Sequence, residues 1–278
     1  MNKLMKFVFA AFFTAAVSVS IFAAPTDARA DDGGTWQRVK KAGVLRCGAA
    51  ISAPYVMRDP ATGAYSGVFS DLCRNFGEKV LKVKVEFVDT TWENIVAGLQ
   101  SDKWDLSLAL NDTPERRKAI AFSGSVAPYN VTFVYNKNNP KLPKGMKSIS
   151  DFDKSGVSVA VMSGSAQDRA ITQALKQAQI VRLPGEDEIR LALMSKRADL
   201  LADDNTTNML LTQSHADWAV AFHPNPPLAE QQICFGVSKD LPAADLAVLN
   251  SYIDQQVKSG NVEKMLKTSI TAFLAQSK

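Results

Sequence analysis

Two stretches of this chain read alike, and that likeness constrains its fold more than any other feature. Asp105-Leu-Ser-Leu-Ala-Leu110 runs into Asn111-Asp112-Thr113, and Asp199-Leu-Leu-Ala-Asp-Asp204 runs into Asn205-Thr206. Each is an apolar run of strand length that gives way to turn residues and then to a helical pattern. Upstream of them, Gly43-Val-Leu-Arg-Cys47 is echoed by Gly156-Val-Ser-Val-Ala160 in the same order. Between the first pair, Ser70 to Leu81 repeats apolar residues at helical spacing (Leu72, Phe76, Val80). Val83 to Val88 then alternates as a strand, and Trp92 opens a helix with Ile95, Val96 and Leu99 on one face. Strands separated by helices of about ten residues indicate βαβ units and a mostly parallel sheet. Two such series predict an α/β chain of two similar lobes.

The connections follow from the breaks in this pattern. Tyr129 to Lys137 is an extended run ending in a Pro, Lys and Gly stretch, Asn138 to Gly145. Pro224 to Pro227 interrupts structure before the short apolar strand Ile233-Cys-Phe-Gly-Val237. These two extended segments are the expected crossings, which puts lobe 1 at residues 31–131, lobe 2 at 132–232 and a return to lobe 1 at 233–278. Helices near Ala243 to Ser259 and Val262 to Leu274 make up the return.

Residues 1–30 stand outside this scheme. Lys3 and Lys6 precede an apolar run from Phe7 to Ala24, and Ala28-Arg29-Ala30 is a small-residue cleavage site, so a secretory signal peptide cut after Ala30 is expected. Its removal takes away Lys3, Lys6, Arg29 and Asp27, so the formal charge of +4 becomes +2. Charge so nearly balanced gives no support to nucleic acid or a membrane surface as partner. No cysteine near the cut could carry a lipid, so a free protein is expected, in the periplasm where there is an outer membrane. Cys47, Cys73 and Cys234 allow at most one internal disulfide, and their spacing does not say which.

In parallel α/β sheets, ligands bind beyond the carboxyl ends of strands, where loops lead into helix N-termini. Four such loops stand out: Ala49 to Tyr55, Asn111 to Arg116, Ser163-Gly164-Ser165-Ala166, and Asp203-Asp204-Asn205. Thr113 suits an N-cap and Pro114 a first helical position. Arg116 then sits where the helix dipole disfavours a cation. Backbone N–H groups, a hydroxyl and a guanidinium at one point make a carboxylate site. If the lobes face each other, Ser165 and its neighbours add donors to the same carboxylate, and Asp204 offers an anion to a cation. Such a pair of loops suits a zwitterion, which is an amino acid. Asp204 also reads as a helix N-cap, Asp203 as solvated or supporting, and Glu186, Asp187 and Glu188 as acidic first-turn residues of a helix. Trp36, Trp104 and Trp218 read as structural.

On these residues the chain resembles the periplasmic amino-acid-binding proteins of ABC importers, the extracellular solute-binding family 3. The matching pattern is Gly43-Val-Leu; Ala53-Pro54-Tyr55; Gly67 with Asp71; Trp92 through Leu99; Asp105 through Thr113-Pro-Glu-Arg116; Phe122-Ser123; Val159 through Gly164-Ser165; and Ala198-Asp199 through Asp204. The resemblance implies the type II two-lobed fold, closing over its ligand on two crossing strands. It implies that Arg116 clamps the ligand α-carboxylate with Asn111 to Thr113 and Gly164 to Ala166, that Asp204 takes the α-ammonium, and that Trp92 lies along the ligand side chain. Ser52 and Tyr55 belong to the first loop, which lacks the family's common aromatic before its proline. Ala109 stands where a glycine is common, and the segment from Phe122 to Pro128-Tyr129 is stretched.

The expected function is therefore a soluble, monomeric, periplasmic binding protein that delivers an amino acid to a membrane permease, with no cofactor, metal or catalytic residue. His215 and His223 have no metal spacing with cysteine, and GxSxG, P-loop and GxGxxG motifs are missing. Two rivals share the scaffold. Family members include dehydratases of prephenate-like acids, and a sensor module for a receptor would expect a membrane span or signalling domain after the second lobe, where this chain runs only to Lys278.

Overall fold

The computed structural model of the chain describes residues 34–276; the leader expected over residues 1–30, with its cleavage after Ala30, lies outside them. A first helix, α1 (Thr35–Ala42), occupies what reads in sequence as a featureless polar start. Only Trp36 and Val39 of this helix are buried, too few for a visible period, while Lys40 and Lys41 in its last turn and Gly43 at φ 74° complete a standard helix end. There follow β1 (Val44–Ala49), β2 (Met57–Arg58), β3 (Tyr65–Ser66) and α2 (Val68–Asn75), which continues as a π-helical turn, Phe76–Leu81. The chain goes on through β4 (Lys84–Asp89), α3 (Ile95–Gln100), β5 (Leu106–Asn111), α4 (Arg116–Ala119), β6 (Ala121–Phe122) and β7 (Ala127–Asn136).

The second series comprises β8 (Ser158–Met162), α5 (Ala166–Ala174), β9 (Gln179–Leu183), α6 (Glu186–Met194), β10 (Leu200–Asp204), α7 (Asn205–Ser214) and β11 (Ala219–Phe222). Then come β12 (Leu228–Val237), α8 (Ala243–Lys258) and α9 (Asn261–Gln276). The order of strands and helices is the one the repeat predicts. Two boundaries move in a way that matters below: α3 starts at Ile95, leaving Trp92 in the turn before it, and α4 starts at Arg116, leaving Thr113 and Pro114 in an irregular lead-in.

The main sheet runs β4-β1-β5-β12-β7-β10-β8-β9, with β11 beside β7 and β6 beside β12. Pairing is parallel among β4, β1 and β5 and among β10, β8 and β9, but antiparallel wherever β12 or β7 takes part. Each half is thus mostly parallel, as expected, and the two long strands between them make the whole sheet mixed. β12 opens against β7 (Gln231 to Tyr129) and closes against β5 (Cys234 to Leu110). β7 opens against β12 and closes against β10 (Val134 to Leu201).

Where β12 shifts register between Cys234 and Gly236, the facing strand carries Ala109 at φ 54°, a left-handed backbone that favours glycine. Cys47 in β1 and Cys73 in α2 form a disulfide, and Cys234 is a buried free thiol. α8 packs on the first half, with Tyr252 donating to Leu72 O at 3.1 Å and Asp245 O accepting from Trp36 Nε1 at 2.7 Å. α9 touches both α2 and α7, and Phe273 lies 5.0 Å from the Arg190 guanidinium. Among the described residues, no helix is long and apolar enough to cross a membrane.

β5 is buried at all six positions, which is why it reads as an apolar run rather than an alternation. Its one hydroxyl, Ser107 Oγ, accepts from Trp104 Nε1 at 2.8 Å and donates to Ile95 O at 3.1 Å. The Trp104 ring so fixed covers Gly98, where a Cβ would lie 1.9 Å from Cη2. Replacing a helical glycine by alanine gains about 1 kcal/mol of propensity, whereas forcing a methyl into a filled core costs about 1–3 kcal/mol. Gly98→Ala is therefore expected to be a net loss of roughly 1 kcal/mol or more, read as a lower urea midpoint at unchanged slope.

Candidate functional site

The site is built from three strand-to-helix junctions and the first loop. After β5, Asn111 is buried, and Thr113 Oγ1 accepts the Arg116 N–H at 3.2 Å, so the threonine caps the short α4 from outside it. This corrects the expected helix start without changing the reason for it. Arg116 is only 2 % exposed. Its Nη1 donates to Asn111 O at 3.3 Å, while Nε and Nη2 have no partner in the protein, nor does Asn111 Nδ2. Burial, with Arg169 as a second cation nearby, lowers the guanidinium pKa to about 10, so it remains charged at neutral pH. A buried cation with unmet donors is costly unless an anion completes it.

After β10, Asp204 caps α7. Its Oδ1 accepts from the N–H groups of Thr206 at 2.6 Å and Thr207 at 3.1 Å, and Thr207 Oγ1 lies 2.6 Å from Oδ2. Asp203 is 1 % exposed, which rules out the solvated side chain of its two readings and leaves the supporting one. β10 is buried at every position, so successive residues pointing to opposite faces both lie inside. Oδ1 of Asp203 accepts from Asp204 N–H and from Gln167 Nε2, each at 2.8 Å, and Oδ2 is without a partner. Burial raises both carboxyls above the usual carboxylate range. Asp203 is pushed furthest, because Asp204 and Glu186 add their charge to the cost of burial.

After β8, Ser165 Oγ accepts the Asp168 N–H at 3.1 Å and donates to Met162 O at 2.7 Å. Gly164 N–H donates to Asp168 Oδ2 at 3.1 Å and Ser165 N–H to Met162 O at 3.3 Å, so two donors expected to face a ligand are held within the loop. Gly164 has φ 73°, and a Cβ there would stand 2.9 Å from the backbone of Glu93, in the turn after Trp92. Only glycine allows that approach.

The Ala53 peptide of the first loop is held from both sides. Its N–H donates to Glu186 Oε2 at 3.0 Å, and its carbonyl accepts from Thr207 Oγ1 at 2.7 Å. Glu186 is buried and paired with Arg190, which goes beyond the first-turn role its sequence position implied. The contact spans 133 residues, and nothing short-range in the sequence signals it.

These junctions surround a small cavity of about 20 Å³. Its walls include seven of the expected residues, Ser52, Tyr55, Trp92, Asn111, Ser165, Ala166 and Asp204. Ala109, Tyr129, Gln167, Asp203 and Ile233 complete them, none of which was expected to touch a ligand. Arg116, Thr113 and Gly164 are not on the wall. Tyr129 connects Arg116 to the acids: its hydroxyl donates to Gln167 Oε1 at 2.9 Å, burial and the charges of Asp203 and Asp204 push its pKa well up, and Arg116 opposes them. Trp92 is 8 % exposed and its Nε1 donates to Ile51 O at 3.3 Å. Among the described residues, no group of three or more metal-ligating side chains converges.

The model of the bacterial extracellular solute-binding proteins, family 3, matches residues 45–272. The L-cystine-binding protein TcyA of Bacillus subtilis is 24% identical over 201 residues, 71% of this chain and 72% of that protein. A cyclohexadienyl dehydratase of Pseudomonas aeruginosa is 21% identical over 242 residues, 85% of each chain. Among solved structures, an ancestral amino acid-binding protein, AncCDT-1, described as a precursor of cyclohexadienyl dehydratase, superposes with a TM-score of 0.75 at 29% identity, covering 85% of this chain and 99% of that one. The fold is that of the type II periplasmic binding proteins.

The buried acids set a pH dependence. A carboxyl whose pKa is raised on folding holds its proton in the folded state after the unfolded chain has lost it, so its contribution to stability falls as pH rises through the folded pKa. Asp203, Asp204 and Glu186 all shift in that direction from ordinary values near 4. The ligand-free protein is expected to melt at lower temperature as pH is raised from about 5 to 8, with a shallower fall in Asp203→Asn. Thermal melts across that range check it; a rising melting temperature would contradict it.

Proposed function

The chain belongs to the bacterial extracellular solute-binding proteins, family 3, and from that premise we propose that it captures an α-amino acid between two lobes and delivers it to the permease of an ABC importer. In this reading lobe 1 is residues 31–131 with the return segment 233–278, lobe 2 is residues 132–232, and the boundaries fall within β7 and β12. The protein works as a monomer in the periplasm after cleavage of its leader at Ala30. The observation that carries the proposal is the pair of unmet buried charges. Arg116, opening α4 in the first half, has Nε and Nη2 without partners among the described residues, and Asp203, at the end of β10 in the second, lines the cavity beside Asp204 with its Oδ2 unpartnered.

Arg116 holds the ligand α-carboxylate, with Asn111 Nδ2 as a second donor and Thr113 fixing the loop. Asp204 takes the α-ammonium while still capping α7. Trp92, Ser52 and Tyr55 bound the ligand side chain, and Ser165 and Ala166 close the cavity from the other side. Binding shifts the population toward the closed form because contacts to both lobes exist only there.

A second reading has one observation in its favour, the dehydratase among the relatives. Arg116 would then hold a substrate carboxylate and a buried protonated acid would serve as general acid. Incubation of the mature protein with prephenate separates the two: the binding reading expects no ultraviolet-absorbing phenylpyruvate above the uncatalysed rate.

Removing one partner of a buried charge pair costs about 2–5 kcal/mol of binding. Arg116→Ala is accordingly expected to lose at least about 2 kcal/mol of amino-acid affinity, roughly 30-fold, by isothermal calorimetry. Unchanged affinity in that variant would overturn the assignment.

A further inference from the structure

The cavity holds one acid more than an α-amino acid head group can use. Arg116 is the buried cation of the site, and Asp203 and Asp204 are its two buried acids. The other charges nearby are already paired: Glu186 with Arg190, and Glu115 with Arg169 at 3.5 Å. A bound zwitterion contributes no net charge, so it answers Arg116 with its carboxylate and one acid with its ammonium. One carboxyl is left over.

The hydrogen bonds identify which. Asp204 is committed to α7 through two backbone N–H groups. Asp203 is held through Oδ1 alone, at the end of a fixed chain in which Tyr129 O–H donates to Gln167 Oε1 and Gln167 Nε2 donates to Asp203. Tyr129, Gln167 and Asp203 all line the cavity and all are buried. Oδ1 accepts two donors and Oδ2 accepts none, so the one open valence of this chain is a buried oxygen of a cavity-lining residue. Ionised, that oxygen lacks a donor; protonated, its O–H lacks an acceptor. Neither state is satisfied by the protein.

We propose that Asp203 is a specificity-determining residue, whose Oδ2 receives a second cationic group on the ligand side chain, so that the site takes basic amino acids in preference to neutral ones. The inference rests on the amino-acid reading of the site. A side-chain ammonium or guanidinium supplies both what Oδ2 lacks as a hydrogen-bond acceptor and the positive charge that the excess acid requires. A neutral ligand leaves the carboxyl buried without a counter-charge.

Calorimetry of the mature protein with lysine, ornithine and arginine against norleucine, methionine and glutamine tests this, repeated on Asp203→Asn. The expected result is a preference of at least about tenfold for a basic ligand over norleucine, and that ratio falls at least about tenfold in Asp203→Asn. Tighter binding of glutamine than of any basic ligand would overturn the proposal, by showing that Oδ2 donates a proton to an acceptor. A loss of affinity in Asp203→Asn that is uniform across basic and neutral ligands would also overturn it, by assigning the α-ammonium to Asp203. If Asp203→Asn does not fold, the wild-type ratio decides alone, and neutral ligands bound as tightly as basic ones sink the idea. Absence of binding by every amino acid would instead bring down the function proposed above, and this inference with it.

Discussion

A guanidinium taken out of water with only one of its donor directions met sets the terms for the rest of this structure. Arg116 accepts that situation because the chain around it cannot move: Thr113 holds its N–H, Asn111 O holds Nη1, and the buried strand β5 fixes where both begin. Nothing in the protein supplies its anion. A neighbouring cation, Arg169, works against it, and the acids at the end of β10 belong to the other half of the sheet. A charge so placed is expensive in the empty protein and becomes favourable when a carboxylate arrives, which is the condition for selective binding.

The architecture that allows this is the exchange of strands at the centre of the sheet. β7 and β12 each begin in one half and end in the other, so the βα junctions of the first series and those of the second converge on one cavity. The antiparallel register of this pair, with Gln231 against Tyr129, carries Tyr129 and Ile233 into the cavity wall between the two sets of loops.

Much of this was legible beforehand because the relevant signals are local. Apolar runs closed by turn residues marked β5 and β10, and capping chemistry marked Asp204, which caps α7, and Thr113, whose hydroxyl accepts the first N–H of α4 from outside the helix. What escaped was set by contacts between distant residues. Asp203 looks solvated when read from its neighbours, because a strand buried on both faces cannot be told from a half-buried one when it is five residues long. Glu186 looks like an ordinary helix-start acid until Ala53 is seen against it. Tyr129 and Gln167 carry no motif, and only their shared hydrogen bond gives them meaning. α1 was missed because its single buried stripe is two residues wide.

On the proposed reading, in which the two halves close over a ligand, the contacts between them hold the closed form and the buried charges oppose it. Glu186 and Thr207 grip the Ala53 peptide, and Gly164 meets the Glu93 backbone. Each such neutral or singly charged hydrogen bond is worth about 1 kcal/mol net, up to about 3 where a charge takes part. Against them stand Arg116, Asp203 and Asp204, each buried with no counter-charge of its own. Their burial penalties are of comparable or larger size, so the empty closed form is balanced against an open form in which those charges regain water. The Thr207 hydroxyl shows the tension at one atom: with a single proton it lies within reach of both Ala53 O and Asp204 Oδ2, and it can donate to only one. An ammonium at Asp204 removes that conflict, freeing the hydroxyl for Ala53. The ligand's charge and the grip between the two halves are then satisfied by the same event.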